Sequence, residues 1–98
     1  MFDKMRQLMD LQKKMQEAKR ELENTEFEVL SHDGLIKITM NGSQEVKEFS
    51  INKEITGLSK GELEKSSKDA YNRAVKRSQE IAASKMKDIA GFNIPGLT

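Results

Sequence analysis

The chain has no cysteine, no tryptophan, one proline, one histidine and one tyrosine among its 98 residues. The missing cysteines exclude disulfides and thiolate chemistry, which suits a cytoplasmic chain. No apolar run approaches the ~20 residues that a membrane-spanning helix needs. The start, Met1-Phe2-Asp3-Lys4-Met5-Arg6, lacks the apolar stretch of a signal peptide. A cytoplasmic chain with no membrane partner is therefore expected. With 36% apolar residues and five aromatics, the core is small and a single domain over residues 1–98 is expected.

Catalytic equipment is sparse. The single histidine, His32, stands in a turn beside Asp33, where a lone imidazole is usually a solvated loop residue. Metal binding needs three or four converging ligands, and no His/Cys cluster exists. Neither glycine-rich phosphate-binding pattern occurs. Ser66, Ser67, Ser78 and Ser84 have no general base nearby in sequence. Hence no catalytic residue, metal site, cofactor or small-molecule substrate is expected, and the chain does not read as an enzyme.

Charge is abundant, at 34% of residues, but the signs nearly cancel to a net +1. The chain is too apolar and too periodic for a disordered one. The charges are unevenly placed. Residues 1–20 carry six basic and three acidic side chains, and residues 21–34 carry five acidic ones with no Lys or Arg. Residues 35–65 balance at five and five, and residues 66–90 again carry six basic against three acidic. Both ends of the ordered pattern are thus basic and the stretch after the first is acidic. One reading is solvated helix faces; the other is an electrostatic footprint for a polyanion, split over two helices.

Residues 59–90 are the longest candidate helix. The stretch contains no proline, and Ser59 and Glu62 stand in S-x-x-E capping spacing. Gly91 follows where a left-handed cap is wanted, and Pro95 lies just beyond. Leu63, Ala70, Ala74 and Ile81 mark an apolar stripe, widened by Tyr71, Val75, Ala82, Met86 and Ile89, so Tyr71 is expected to face inward. At 1.5 Å per residue the helix runs roughly 45 Å. A compact domain of this length has a radius of gyration of about 13 Å, so part of the helix projects or meets another chain.

Residues 1–23 form the other helix. Leu8, Leu11, Met15, Ala18 and Leu22 follow a 3-4-3-4 spacing, a narrow seam suited to one partner helix. Between the helices lie three alternating segments: 26–31 with Phe27 and Val29 on one face, 35–40 with Ile36, Ile38 and Met40, and 45–51 with Phe49 and Ile51 on the buried side. His32-Asp33-Gly34 is a turn, and Asn41-Gly42 is a strong hairpin signal because both positions tolerate positive φ. Val46 is out of phase. Either a bulge resets the register there, or Leu30, Leu35 and Val46 form a second apolar patch on the far face. The tail, residues 91–98, either folds back on the body or stays mobile. The expected class is α+β, in the order α-β-β-β-α, with a three-stranded antiparallel meander and two long helices.

The best candidate chemistry is basic. Lys13, Lys14, Lys19 and Arg20 flank the first seam, and Arg73, Lys76 and Arg77 share one face of the second helix at i, i+3 and i+4. Asp69 can pair with Arg73 one turn on. Lys and Arg held on one side can displace counterions from DNA phosphates. Nothing resembles a base-reading helix-turn-helix or an aromatic stacking platform.

The run Gly34-Leu35-Ile36-Lys37-Ile38-Thr39-Met40-Asn41-Gly42, followed by Glu45-Val46-Lys47-Glu48-Phe49-Ser50-Ile51-Asn52, resembles the middle of the YbaB/EbfC proteins, small bacterial nucleoid-associated proteins. Leu8-Met9-Asp10-Leu11-Gln12-Lys13-Lys14-Met15-Gln16, Asp69-Ala70-Tyr71-Asn72-Arg73-Ala74, Lys85-Met86 and the tail Gly91-Phe92-Asn93-Ile94-Pro95-Gly96 fit the same family. The likeness covers nearly the whole chain. It implies a tweezers-like homodimer with protruding helices that binds double-stranded DNA with low or variable sequence specificity, located on the nucleoid. On that reading Lys13, Lys14, Arg20, Arg73, Lys76 and Arg77 are the candidate phosphate contacts, while Leu8, Leu11, Met15 and Leu22 are packing or dimer residues. The competing reading is a dimeric adaptor whose helices grip another protein without touching DNA.

Overall fold

The structure, a computed structural model, describes residues 2–52 and 57–90. Helix α1 (Phe2–Asn24) is followed by strands β1 (Glu26–Leu30), β2 (Ile36–Asn41) and β3 (Val46–Ile51), and by helix α2 (Lys60–Ala90). The strands form one antiparallel sheet in the order β1-β2-β3. The α+β order and the meander are those expected from the sequence. The radius of gyration is 18.9 Å and the longest dimension 68 Å, well above the ~13 Å radius of a compact domain of this size. The helices, not the sheet, set that length.

The start of α2 is capped as its S-x-x-E spacing predicts: Glu62 N donates to Ser59 Oγ at 3.0 Å, and Leu63 N donates to Ser59 O at 3.1 Å. The expected cap at Gly91 and Pro95, and the tail, lie outside the described residues. Helix α1 ends where Thr25 turns back on it, its Oγ1 donating to Glu21 O at 2.6 Å.

The core lies between β2 and the middle of α2. Ile36, Ile38, Met40, Ala70 and Ala74 have no solvent exposure, and Leu35 joins them from the residue before β2. The buried stripe of α2 is Ser66, Ala70, Ala74 and Ser78, all small and four residues apart. Small side chains let the helix backbone lie close to the sheet. The two serines end the stripe and fasten it. Ser66 Oγ donates to Asp33 in the β1–β2 turn. Ser78 Oγ donates to Asn41 O at 2.9 Å and accepts from Gln44 N at 3.1 Å in the β2–β3 turn. Twelve helical residues span about 18 Å, close to the length of a six-residue strand, so α2 is pinned at both ends of β2.

Three expectations are corrected. Tyr71 does not face inward; it is 48% exposed. The fully buried residues of α2 that face the sheet, Ser66, Ala70, Ala74 and Ser78, run at i, i+4 spacing, and Tyr71 lies to one side of that row. Phe49 shares the core face, opposite Ile38, yet it is 48% exposed. Helix α2 packs over β2 and β1, leaving the core face of the edge strand β3 partly open. Asn41-Gly42 is not a two-residue turn at positive φ. Asn41 is the last residue of β2, residues 42–44 form the loop, and the positive φ (63°) falls on Gln44. This is the three-residue hairpin with a left-handed third position. The Asn41 side chain accounts for it: Oδ1 accepts from Ser43 N and Glu45 N, both at 3.0 Å, and Nδ2 donates to Glu23 O at 3.0 Å and Glu45 Oε1 at 2.9 Å.

Of the two registers open for Val46, the bulge is the one formed. Thr39 pairs with Glu48 but Met40 pairs with Val46, leaving Lys47 as the extra residue. That shift turns Val46 to the Met40 face, and Leu35 is in the core, so no second apolar patch is assembled from Leu30, Leu35 and Val46.

The seam of α1 is engaged only near its C-terminal end. Ala18 is buried and Leu22 and Leu11 are half-buried, while Met15 (47%) and Leu8 (65%) are exposed, as are Phe2, Met5 and Met9. Lys85 of α2 pairs with Glu21, beside a groove lined by Leu22, Thr25 and Ile81.

Candidate nucleic-acid interface

Arg73, Lys76 and Arg77 are all exposed and line one shallow groove between α2 and β1, together with Glu28, Val29 and Glu80. The groove exists because α2 crosses the sheet over β2 and leaves its flank above the β1 edge. Two of the three cations are held by carboxylates one turn away: Arg73 Nε lies 3.1 Å from Asp69 Oδ1, and Arg77 Nη1 3.8 Å from Glu80 Oε2. Exposed pairs of this kind add little stability, but they restrain long side chains before any ligand arrives.

The α1 candidates do not join that groove. Lys13 and Arg20 are exposed and Lys14 is half-buried. Lys13 and Arg20 are seven residues apart, on the line of α1 opposite its seam, and exposed Arg6 continues the same line. Arg6 is not among the six expected contacts, yet its heptad spacing from Lys13 places it on the line of Lys13 and Arg20. The six candidates therefore fall into two separate groups, one on each helix. The hydrophobic candidates divide as well: Leu22 packs against the β2–β3 turn, and Leu8 stands in the open.

A polar cluster that pattern-reading missed sits at the other end of α2. Asp33 accepts from Ser31 Oγ at 2.6 Å, from Leu35 N at 3.0 Å and from Ser66 Oγ. The Ser31 hydroxyl above all, then the Ser66 hydroxyl and the Leu35 N–H, hold the Asp33 carboxyl well below the usual carboxylate range. Asp69 accepts the His32 backbone N–H at 2.7 Å. That bond first, and the Arg73 side chain second, lower the pKa of Asp69 as well. A separation of 33 residues between Asp33 and Ser66 leaves no local pattern to detect.

This network makes a prediction for acid. Asp33 and Asp69 have folded-state pKa values below their unfolded ones, so their contribution is present above about pH 4 and lost as pH falls through the folded values. Urea unfolding should show stability level from about pH 7 to 5 and falling below about pH 4. The Asp33→Asn variant, which cannot accept all three donors as an anion, should be less stable at neutral pH and show a shallower acid dependence. Equal acid dependence in the two proteins would contradict the role given to Asp33.

Among the described residues no group of His, Cys, Asp or Glu could hold a metal ion, and no helix is long and apolar enough to cross a membrane. What the fold presents is a helix–meander–helix unit with two basic groups, one on each helix, and an open apolar flank. The family model for the YbaB/EbfC DNA-binding family matches residues 1–92, and the chain belongs to that family. It is 38% identical to a nucleoid-associated protein of Hahella chejuensis, over 97% of this chain and 89% of that one. It is 33% identical to a nucleoid-associated protein of Clostridium acetobutylicum, over 94% of this chain and 84% of the other. The crystal structure of an uncharacterized protein from Helicobacter pylori shares the fold, with a TM-score of 0.78 at 18% identity, covering 91% of this chain and 96% of that one.

Proposed function

We propose that the protein is a nucleoid-associated protein that binds double-stranded DNA as a homodimer, with low sequence specificity, through Lys and Arg contacts to phosphates. The observation that carries this reading is the gathering of Arg73, Lys76 and Arg77 in one exposed groove, in a chain of a DNA-binding family. Lys13, Lys14 and Arg20 on α1 supply the second set of contacts. Phosphates carry no sequence information, so contacts confined to them position the protein without selecting a site.

The homodimer is supported by what the single chain leaves uncovered. Val46 (45%) and Phe49 (48%) continue the core cluster onto an open face of β3. Among the described residues the outer edge of β3 has no neighbouring strand, and a free edge invites pairing or cover. The exposed seam residues of α1, Leu8 and Met15, ask for the same.

Anisotropy titrations of a short duplex at several salt concentrations test the reading. The logarithm of the binding constant should fall linearly with the logarithm of salt, with a slope near −0.9 for each phosphate contacted. Binding that ignores salt, or none at low salt, would sink it. The adaptor reading is favoured by one observation, the exposed Phe2, Met5, Leu8 and Met9 at the start of α1, since Met-rich surfaces adapt to protein partners. Capture of a protein that survives nuclease, without any shift of naked DNA, would select it instead.

A further inference from the structure

We infer that His32 belongs to the phosphate-binding face and makes DNA affinity proton-linked, tighter as pH falls. The inference rests on the DNA-binding reading above.

The geometry is specific. The turn carrying His32 is held by the three donors that converge on Asp33 and by Gly34, whose φ is 75°. The His32 N–H donates to Asp69 Oδ2 at 2.7 Å, while the other oxygen of the same carboxylate takes Arg73 Nε at 3.1 Å. One carboxylate thus holds the turn and the guanidinium side by side, and Arg73 Nη2 approaches His32 Nδ1 to 3.5 Å. Both side chains are exposed. Arg73 is the member of the basic trio nearest this turn, so a phosphate oxygen bound at its outer edge comes within reach of the imidazole.

Arginine only donates, so a hydrogen bond between the two requires an imidazole nitrogen free to accept. A charged imidazole has N–H on both nitrogens and cannot accept from Arg73. A phosphate oxygen is an acceptor for both groups and resolves that conflict. The complex therefore favours the charged imidazole, and by linkage lower pH favours the complex by the same factor.

The surrounding charges do not mask the effect. Asp33 on the turn and Glu62, Lys65, Lys68, Asp69 and Arg73 on α2 surround the imidazole, three acidic and three basic. A neutral imidazole leaves that surface balanced and a charged one makes it positive. His32 is the only histidine in the chain, so replacing it removes the chain's only imidazole.

The test is a duplex-binding titration of the full chain at fixed ionic strength, at about pH 8 and about pH 5.5, for the wild type and His32→Asn. Asparagine keeps the backbone N–H that bonds Asp69, so the turn is retained. One added phosphate contact raises wild-type affinity roughly three- to tenfold across that range, while the ratio for His32→Asn stays near one. Binding heats at about pH 6 in two buffers of different ionisation enthalpy supply a second readout: proton uptake by the wild type, and its loss in the variant. Equal pH ratios and equal proton uptake in the two proteins overturn the inference and leave the DNA-binding reading standing. Absence of binding by either protein at low salt overturns the DNA-binding reading itself.

Discussion

A variant carrying Arg73→Gln, Lys76→Gln and Arg77→Gln should bind duplex DNA on the order of 10²-fold more weakly than the wild type at about 0.1 M salt. The estimate follows from counterion release. Each phosphate contact contributes about 0.9 to the salt slope, so three lost contacts flatten it by roughly 2.7. The flattening is the diagnostic part. A variant that bound weakly with an unchanged slope would have lost something other than phosphate contacts. The three side chains are exposed on the flank of α2, so glutamine, a good helix former, should leave unfolding within about 0.5 kcal/mol of the wild type. The companion replacement of Lys13, Lys14 and Arg20 should flatten the slope further, because those residues stand on a different helix and outside this groove. Full retention of slope and affinity by the α2 variant would remove the groove from the interface.

Gly42→Ala should destabilise the fold by about 1–3 kcal/mol. A Cβ at position 42 would lie 2.8 Å from Leu22 Cδ2, 3.0 Å from Leu22 O and 3.2 Å from Leu22 Cα. The first of these atoms can swing away, but the other two are helix backbone. Gly42 N also donates to Leu22 O at 2.9 Å and Thr25 O at 3.0 Å, so moving the turn away from α1 weakens the bonds that hold the two together. Glycine is needed here for close approach, not for an unusual backbone conformation. Denaturant unfolding measures the cost. Hydrogen exchange should show α1 losing protection before the sheet does, since the β2–β3 turn is one of its few attachments to the body. Wild-type stability for Gly42→Ala would mean that α1 is not seated as described.

Much of this architecture was legible in the sequence because it is governed by local rules. The S-x-x-E cap at Ser59, the 3-4 spacing in α1 and the alternation through Ile36, Ile38 and Met40 each depend on residues within one or two turns of one another. The errors share a cause too. Asn41-Gly42 has the composition of a tight hairpin, but the Asn41 side chain is used by Ser43, Glu45 and the end of α1, and only the last of these partners is distant. Tyr71 and Phe49 carry the right periodicity for burial. Whether they are covered depends on where α2 crosses the sheet, which periodicity does not encode. Ser66 and Ser78 have no general base nearby in sequence and no pattern that marks them for burial. They are the polar ends of the buried stripe, matched to turns 33 and 37 residues away in sequence.

By itself, the sequence determined the order of elements, the narrow seam of α1, the length of α2 and the sharing of one helical face by Arg73, Lys76 and Arg77. Each follows from the fixed periods of helix and strand acting on neighbouring residues. Tertiary structure alone decided which parts of those elements are used. The small-residue stripe brings α2 down on β2 and leaves β3 and half of α1 uncovered. The same placement sets the basic trio above the β1 edge, and it brings Asp69 and Arg73 against the turn of His32. Helical period fixes which residues share a face; what that face meets depends on where the helix lands, and here the two serine pins at the ends of β2 set that position.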